Sequence, residues 1–156
     1  MRQAARATAL LLLALACSGG PGTPEARVRA RLAEAEAAAE ARDAGALREL
    51  ISEGYADAHG QDRDAVRGII AFHLLRNRSV HLLTSTRNVR VGDAGTAEVE
   101  VYAAMAGTPI TGPEALAGLR ADLYRFDLRL EEETDGEWRV VSAVWERAMP
   151  ADFLPR

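Results

Sequence analysis

Two strands and the turn between them are encoded in residues 121–147, which read ADLYRFDLRLEEETDGEWRVVSAVWER. Over residues 121–133 apolar and charged residues alternate, which is typical of a β-strand with one face toward a core. Asp135-Gly136 is a turn signal of β-hairpins, and residues 137–147 then predict a second long strand. The apolar face of the first strand carries Tyr124, Phe126, Leu128 and Leu130, and its polar face carries Arg125, Asp127, Arg129 and Glu131.

A second hairpin is predicted upstream. Val80–Val91 favours a strand, and Gly92–Gly95 favours its turn. Thr96–Met105 alternates again, with Ala, Val and Met at the odd positions and Thr96, Glu98, Glu100 and Tyr102 facing the other way. The Gly- and Pro-containing residues 107–118 indicate a loop that joins the two hairpins.

Three helices are predicted before the first strand. Residues 25–42 are rich in Ala, Glu and Arg, all good helix formers, and Thr23-Pro24 suits a helix start. A shorter helix follows the Asp43-Ala44-Gly45 break and ends at Gly54. Asp62 caps a third helix that reaches about residue 77. The third helix has an apolar arc at helical spacing, formed by Val66, Ile69, Ile70, His73 and Leu74.

Helices first and long strands afterwards predict an α+β domain, with N-terminal helices packed on one face of a strongly curved antiparallel β-sheet. Strands of about ten residues exceed the usual five or six, and a long twisted sheet curls toward a half-barrel. Such a cone often keeps a cavity between sheet and helices. We assign residues 25–149 to this domain and residues 150–156 to a tail.

The composition excludes one class of partner. The 156 residues carry a formal net charge of −4 and contain no basic block. Because a nucleic-acid-binding protein needs a basic surface, we expect no nucleic acid partner. Attraction to anionic lipid headgroups is likewise not expected from the overall charge.

The first 17 residues resemble an export signal. Arg2 and Arg6 precede a run of about ten apolar residues, half of the ~20 that span a bilayer as a helix, and Ala14-Leu15-Ala16-Cys17 ends it. This order of basic start, apolar middle and small residues is typical of a secretory signal.

A cysteine at this junction resembles the bacterial lipoprotein signal. The resemblance implies that residues 1–16 are removed, that Cys17 is acylated, and that residues 17–24 tether the domain to a membrane of the cell envelope. Ser18 resembles the pattern of lipoproteins sent to the outer membrane of diderm bacteria. The alternative is an ordinary signal that is cleaved after Ala16, with no lipid on the cysteine.

The domain itself resembles the NTF2-like (cystatin-like) superfamily, in its SnoaL-like or steroid-isomerase-like branch. The resemblance covers roughly residues 25–149 and implies the cone fold, pairing through the open sheet face as a homodimer, and a pocket. In the isomerase-like enzymes a carboxylate abstracts a proton beside a carbonyl. The resemblance to this superfamily rests on four motifs: Arg42-Asp43-Ala44-Gly45, Tyr55-Ala56-Asp57, Gly136-Glu137-Trp138-Arg139-Val140 and Ala143-Val144-Trp145.

Two groups of polar residues are candidates for chemistry. His73 lies on the apolar arc of the third helix, where it could act as acid, base or polar anchor, or be satisfied by a backbone carbonyl. Tyr55, Asp57 and His59 would share one side of an extended segment. The resemblance suggests Asp57 as a base, whereas an exposed turn is the simpler interpretation.

The aromatic residues of the last hairpin are candidates for contact with a ligand. Tyr124, Phe126 and Trp145 would line a pocket or fill the core, as would Trp138. Asp127 is expected on the solvent side among cross-strand charges. The three histidines are too scattered to predict a metal site, and no phosphate loop, zinc pattern or nucleophile elbow predicts a cofactor.

Three functions remain open. The first is an envelope-anchored, non-catalytic module that binds a small apolar or amphipathic ligand or a partner protein. The second is a SnoaL- or steroid-isomerase-like enzyme with an acid–base pair formed by Asp57 and His73. The third is a dimerisation or interaction module.

Overall fold

The computed structural model describes residues 22–155. Its sheet has four antiparallel strands in chain order, and short 3-10 helices span Pro113–Ala117 and Pro150–Phe153. None of the helices in this part of the chain is long and apolar enough to cross a membrane. The other elements are α1 (Pro24–Glu40), α2 (Ala44–Glu49), α3 (Arg63–Arg76), β1 (His81–Gly92), β2 (Thr96–Ala106), β3 (Ala121–Glu132) and β4 (Trp138–Arg147).

The predicted signal segment and Cys17 lie outside the described residues, as do residues 18–21 of the tether. The fold class predicted from the sequence is confirmed: the chain is an α+β domain with helices packed on one face of a curved antiparallel sheet. α1 and α3 are capped by the predicted residues Thr23 and Asp62, and α2 is capped by Asp43, which was predicted only as a break; at each of them a side-chain oxygen accepts a backbone N–H of the first turn. The caps are Thr23 (3.1 Å from Ala26 N), Asp43 (2.9 Å from Ala46 N) and Asp62 (2.9 Å from Ala65 N).

The core lies between α1 and the inner face of the sheet, the face toward the helices. Val28 of α1 is fully buried, and it packs with Leu130 of β3 and Trp138 of β4. The register supports the predicted alternation, because Leu130 pairs with Ala97 on one side and Val140 on the other. Large apolar side chains therefore come from β3 and β4, while the thin Ala-rich stripe of α1 allows a close approach.

The outer face of the sheet differs from the expectation. The alternation placed Tyr102 on the same side of its strand as Thr96, Glu98 and Glu100, and residues 150–156 were expected as a tail. In the structure Phe153 is 5% exposed and packs edge-on against the Tyr102 ring, with centroids 5.9 Å apart. Arg87 also lies over that ring, 4.7 Å from its centroid, and donates to the Asp152 carbonyl oxygen at 2.7 Å. The C-terminal residues thus cover the part of the outer face around Tyr102, where an aromatic pair and a cation anchor them.

Candidate functional site

Aromatic side chains form a continuous row on the inner face of the sheet. Phe126 of β3 and Trp145 of β4 are direct cross-strand partners, and their ring centroids are 6.5 Å apart. Tyr124 continues the row along β3 at 6.0 Å from Phe126. His59, from the loop after α2, lies at the other end, 5.7 Å from Trp145. We call these four residues the aromatic row.

The row is partly accessible to solvent. Tyr124, Phe126 and Trp145 are all half-buried, and the residue beside Tyr124 on β2 is Ala103. Arg147 closes the Tyr124 end, with its guanidinium 4.9 Å from the ring centroid and a 2.9 Å ion pair to Asp122. The site therefore offers stacking surfaces along its length and a cation at one end.

A polar pair lies farther across the inner face. The Thr84 hydroxyl of β1 donates to a carboxylate oxygen of Glu36 on α1 at 2.7 Å. Glu36 was not predicted from the sequence as a residue of this surface. A signal was present, since position 36 continues the spacing of Val28 and Leu32, so a charge falls within the buried stripe of the helix.

Tyr55 and Asp57 meet, but through a turn rather than an extended strand. The Tyr55 hydroxyl donates to Asp57 Oδ2 at 3.0 Å. Asp57 Oδ1 accepts the backbone N–H groups of His59 at 2.9 Å and Gln61 at 3.0 Å. All of these contacts hold the loop between α2 and α3 in place, and this loop carries His59 to the aromatic row.

The same contacts set the ionisation of both groups. Burial opposes ionisation of Asp57, but hydrogen bonds to its carboxylate from Gln61, Tyr55 and His59 outweigh that effect, so the pKa of Asp57 lies below its ordinary value. Burial raises the pKa of Tyr55 to about 12, and the hydrogen bond to Asp57 adds to the shift. A carboxylate whose pKa is lowered is a weaker base, which argues against Asp57 as a proton acceptor.

Replacing Tyr55 with phenylalanine tests this arrangement. Tyr55 is 3% exposed, so Tyr55→Phe is expected to lower the free energy of unfolding by roughly 1 kcal/mol through the lost hydrogen bond. The raised pKa means that the contribution of Tyr55 to stability is present below about pH 10 and is lost as the pH rises toward 12. Urea unfolding at neutral pH and between about pH 10 and 12 should therefore show a smaller alkaline loss in the variant. Tyr124→Phe is the control, and equal curves for both variants would contradict the assignment.

The position of His73 differs from the one expected from the apolar arc of the third helix. The prediction of a buried His73 is wrong: its ring is exposed in the last turn of α3 and lies edge-on to Phe72 at 5.9 Å. The arc is narrower than expected, because Val66 and Ile70 pack against Tyr55 while Ile69 is 36% exposed. Within residues 22–155, His73 and Asp57 share no hydrogen-bonding partner.

Asp127 lies on the outer face, as expected from the alternation. It is exposed and pairs with Arg125 at 3.0 Å. Arg125 also reaches Glu100 on β2 and Glu146 on β4, each at 3.3 Å, so the outer face is a network of cross-strand charges. Within residues 22–155, no three His, Cys, Asp or Glu side chains converge as a metal-binding group would.

Comparison with solved structures gives clear matches in fold. The chain is similar to a protein of Streptomyces avermitilis described as a dehydratase of the NTF2-like family, with a TM-score of 0.64, 18% identity, and 83% of this chain and 99% of that chain covered. It is also similar to a protein of Novosphingobium aromaticivorans described as a scytalone dehydratase, with a TM-score of 0.58, 13% identity, and 79% and 83% covered.

A third similar structure has a different kind of description. It is a protein of Thiobacillus denitrificans described as a calcium/calmodulin-dependent protein kinase type II association domain, with a TM-score of 0.58, 15% identity, and 78% of this chain and 94% of that chain covered. No protein-family model and no curated protein sequence matches the chain. The chain therefore has the NTF2-like fold, and because dehydratases and an association domain share it, the fold alone does not give the activity.

Proposed function

We propose that this protein is an envelope-anchored lipoprotein whose NTF2-like domain binds a small apolar or amphipathic ligand without converting it. The aromatic row on the inner face of the sheet is the observation that carries the proposal. Its three half-buried rings leave aromatic surface exposed, on which a planar ligand can stack. Arg147 at one end favours a ligand that bears a negative charge there.

The anchoring part of the proposal is supported by the sequence. Arg2 and Arg6, the short apolar run and Cys17 together resemble a lipoprotein signal. The described domain begins its first helix at Pro24, so only the short Gly- and Pro-containing residues 18–23 separate it from the proposed lipid. The domain would stand close to the membrane surface.

Catalysis is the weaker alternative because the proposed acid–base pair is not assembled. The Asp57 carboxylate accepts three hydrogen bonds that hold its own loop. His73 is exposed on α3 and belongs to a different part of the surface. A general acid and a general base must reach one substrate at hydrogen-bonding distance, and these two groups have separate surroundings.

A turnover assay separates the two functions. Purified protein incubated with a panel of hydroxy ketones and enolisable cyclic ketones is expected to return every compound unchanged by mass spectrometry. Turnover that Asp57→Asn and His73→Ala both abolish, while Arg129→Ala retains it, would overturn the binding proposal in favour of the enzyme. Arg129 is a suitable control because it lies on the outer face and pairs with Glu131.

A further inference from the structure

The side of α3 turned away from the core carries apolar side chains, although it is exposed to solvent. Ile69, Phe72 and Leu75 are 36%, 54% and 81% exposed. The opposite side of the same helix already packs on the domain through Val66 and Ile70. A surface helix normally shows one apolar stripe and a polar remainder. The second apolar surface, which we call the α3 ridge (Ile69, Phe72 and Leu75), therefore has no partner within the described residues.

A shallow groove of about 390 Å³ lies between α2 and α3 beside the ridge. Small residues of both helices line it, namely Ala44 and Gly45 of α2 and Gly68 and Ala71 of α3. Gly68 and Ala71 lie one helical turn before Phe72 and Leu75, so they share a face of α3. The other residues lining the groove are Arg48, Asp64, Arg67 and Ile70.

Arginines occur on α3 beside this apolar surface and just after the end of the helix. Arg76 lies over the Phe72 ring at 5.2 Å, and Arg78 follows two residues later. Arg67 lines the groove and pairs with Asp64 at 2.9 Å. An apolar strip bordered by arginines is typical of a helix that lies in the headgroup region of a bilayer, with the rings inserted and the guanidinium groups on anionic phosphates.

The position of α3 makes a bilayer the favoured occupant. α1 is 17 residues long, or about 25 Å, and the guanidinium of Arg42 just beyond its end donates to the Leu74 carbonyl oxygen at 2.7 Å. The α3 ridge thus lies about one helix length from Thr23, where the proposed tether enters. Fully extended, the six residues 18–23 reach roughly 20 Å, a length comparable with that distance, which allows the ridge to touch the surface that holds the anchor.

We propose that the α3 ridge docks on an anionic phospholipid bilayer, with Phe72 and Leu75 inserted at the headgroup boundary and Arg76 and Arg78 on lipid phosphates. This inference rests on the proposed lipid anchor at Cys17. Docking at a second point fixes the orientation of the domain, whereas a lipid tether alone leaves it free to rotate. Docking through the arginines at α3 also explains how a domain of negative overall charge approaches an anionic surface, because the positive charge is concentrated where the contact forms.

Tryptophan reporters test the docking in the full, natively processed protein. The Phe72→Trp variant and a control variant, Val144→Trp, are extracted with their acyl groups and reconstituted into phosphatidylglycerol vesicles containing brominated lipid. Val144 is a matched control because it is 44% exposed but lies on the outer face of β4. Phe72→Trp is expected to lose roughly half of its added fluorescence to the bromine quencher, and Val144→Trp almost none. Phosphatidylcholine vesicles or high salt should weaken the quenching at position 72.

The outcomes distinguish docking of the α3 ridge on the bilayer from anchoring through the lipid on Cys17. Equal quenching at positions 72 and 144 in protein whose Cys17 carries acyl groups would overturn the docking and leave the anchor intact. Unquenched fluorescence at position 72 together with a doubled mass in detergent, reversed by Phe72→Ser, would mean that a second copy covers the ridge, and would also overturn it. Protein recovered without acyl groups on Cys17 would overturn the anchor and this inference with it.

Discussion

Replacing Cys17 with serine is expected to move the protein from the membrane fraction to the supernatant. Acyl chains bind a bilayer with about 0.8 kcal/mol per buried CH₂, and stable anchoring needs at least two such signals. A serine hydroxyl does not take the place of the thiol in forming the thioether, so the variant loses every acyl chain. The expected effect is close to complete, because the α3 ridge alone buries far less apolar surface than the lipid does.

The measurement is an immunoblot of fractionated cells together with the mass of the mature N-terminal peptide. Ser18→Ala is the control, since it changes the neighbouring residue and leaves the thiol in place. A Cys17→Ser variant that stays in the membrane fraction would contradict acylation as the source of attachment. So would a native N-terminal peptide that carries Cys17 as a free thiol.

Replacing Trp145 with alanine is expected to raise the Kd for an aromatic anion at least about tenfold, equivalent to about 1.4 kcal/mol. Trp145 is the centre of the aromatic row, with His59 on one side and Phe126 on the other. Its removal deletes a stacking partner for the ligand. Aromatic pairs contribute about 0.5–1.5 kcal/mol in addition to the burial of apolar area, and the two neighbouring rings also lose their contacts with Trp145. The naphthalene dye anilinonaphthalene sulfonate is a suitable probe because it combines fused rings with one negative charge.

Fluorescence titration with this dye measures the effect. Val144→Ala is a closely matched control, because it truncates the adjacent residue of β4 on the outer face of the sheet. Thermal unfolding of both variants shows whether the fold is retained. An unchanged Kd in a folded Trp145→Ala variant, or an equal loss in Val144→Ala, would place dye binding elsewhere on the protein.

The sheet could be predicted because its signals are local. Alternation along residues 121–133 and the Asp135-Gly136 turn depend on neighbours in the chain, and the pairing of Phe126 with Trp145 follows from that hairpin. The covering of Tyr102 by Phe153 could not be predicted in the same way. It joins residues about fifty positions apart, and no periodicity in residues 150–156 indicates where they pack.

The candidate site was predicted in part for the same reason. Tyr124, Phe126 and Trp145 share the inner face because strand alternation places them there, and the structure brings them together. His73 was misplaced because the apolar arc of α3 predicts a wide buried surface, whereas only its Val66, Ile70 and Leu74 side is covered. Helical spacing shows which residues share a face, but it does not show how much of that face another element will cover.

Mass spectrometry of the protein extracted from its native membrane tests the central claim most directly. An envelope-anchored binding protein is expected to begin at Cys17 with acyl chains attached, and gentle ionisation should release a small amphipathic molecule from the wild type but not from Trp145→Ala. A mature protein with an unmodified N-terminus, or one that releases the same molecules with and without Trp145, would contradict the account.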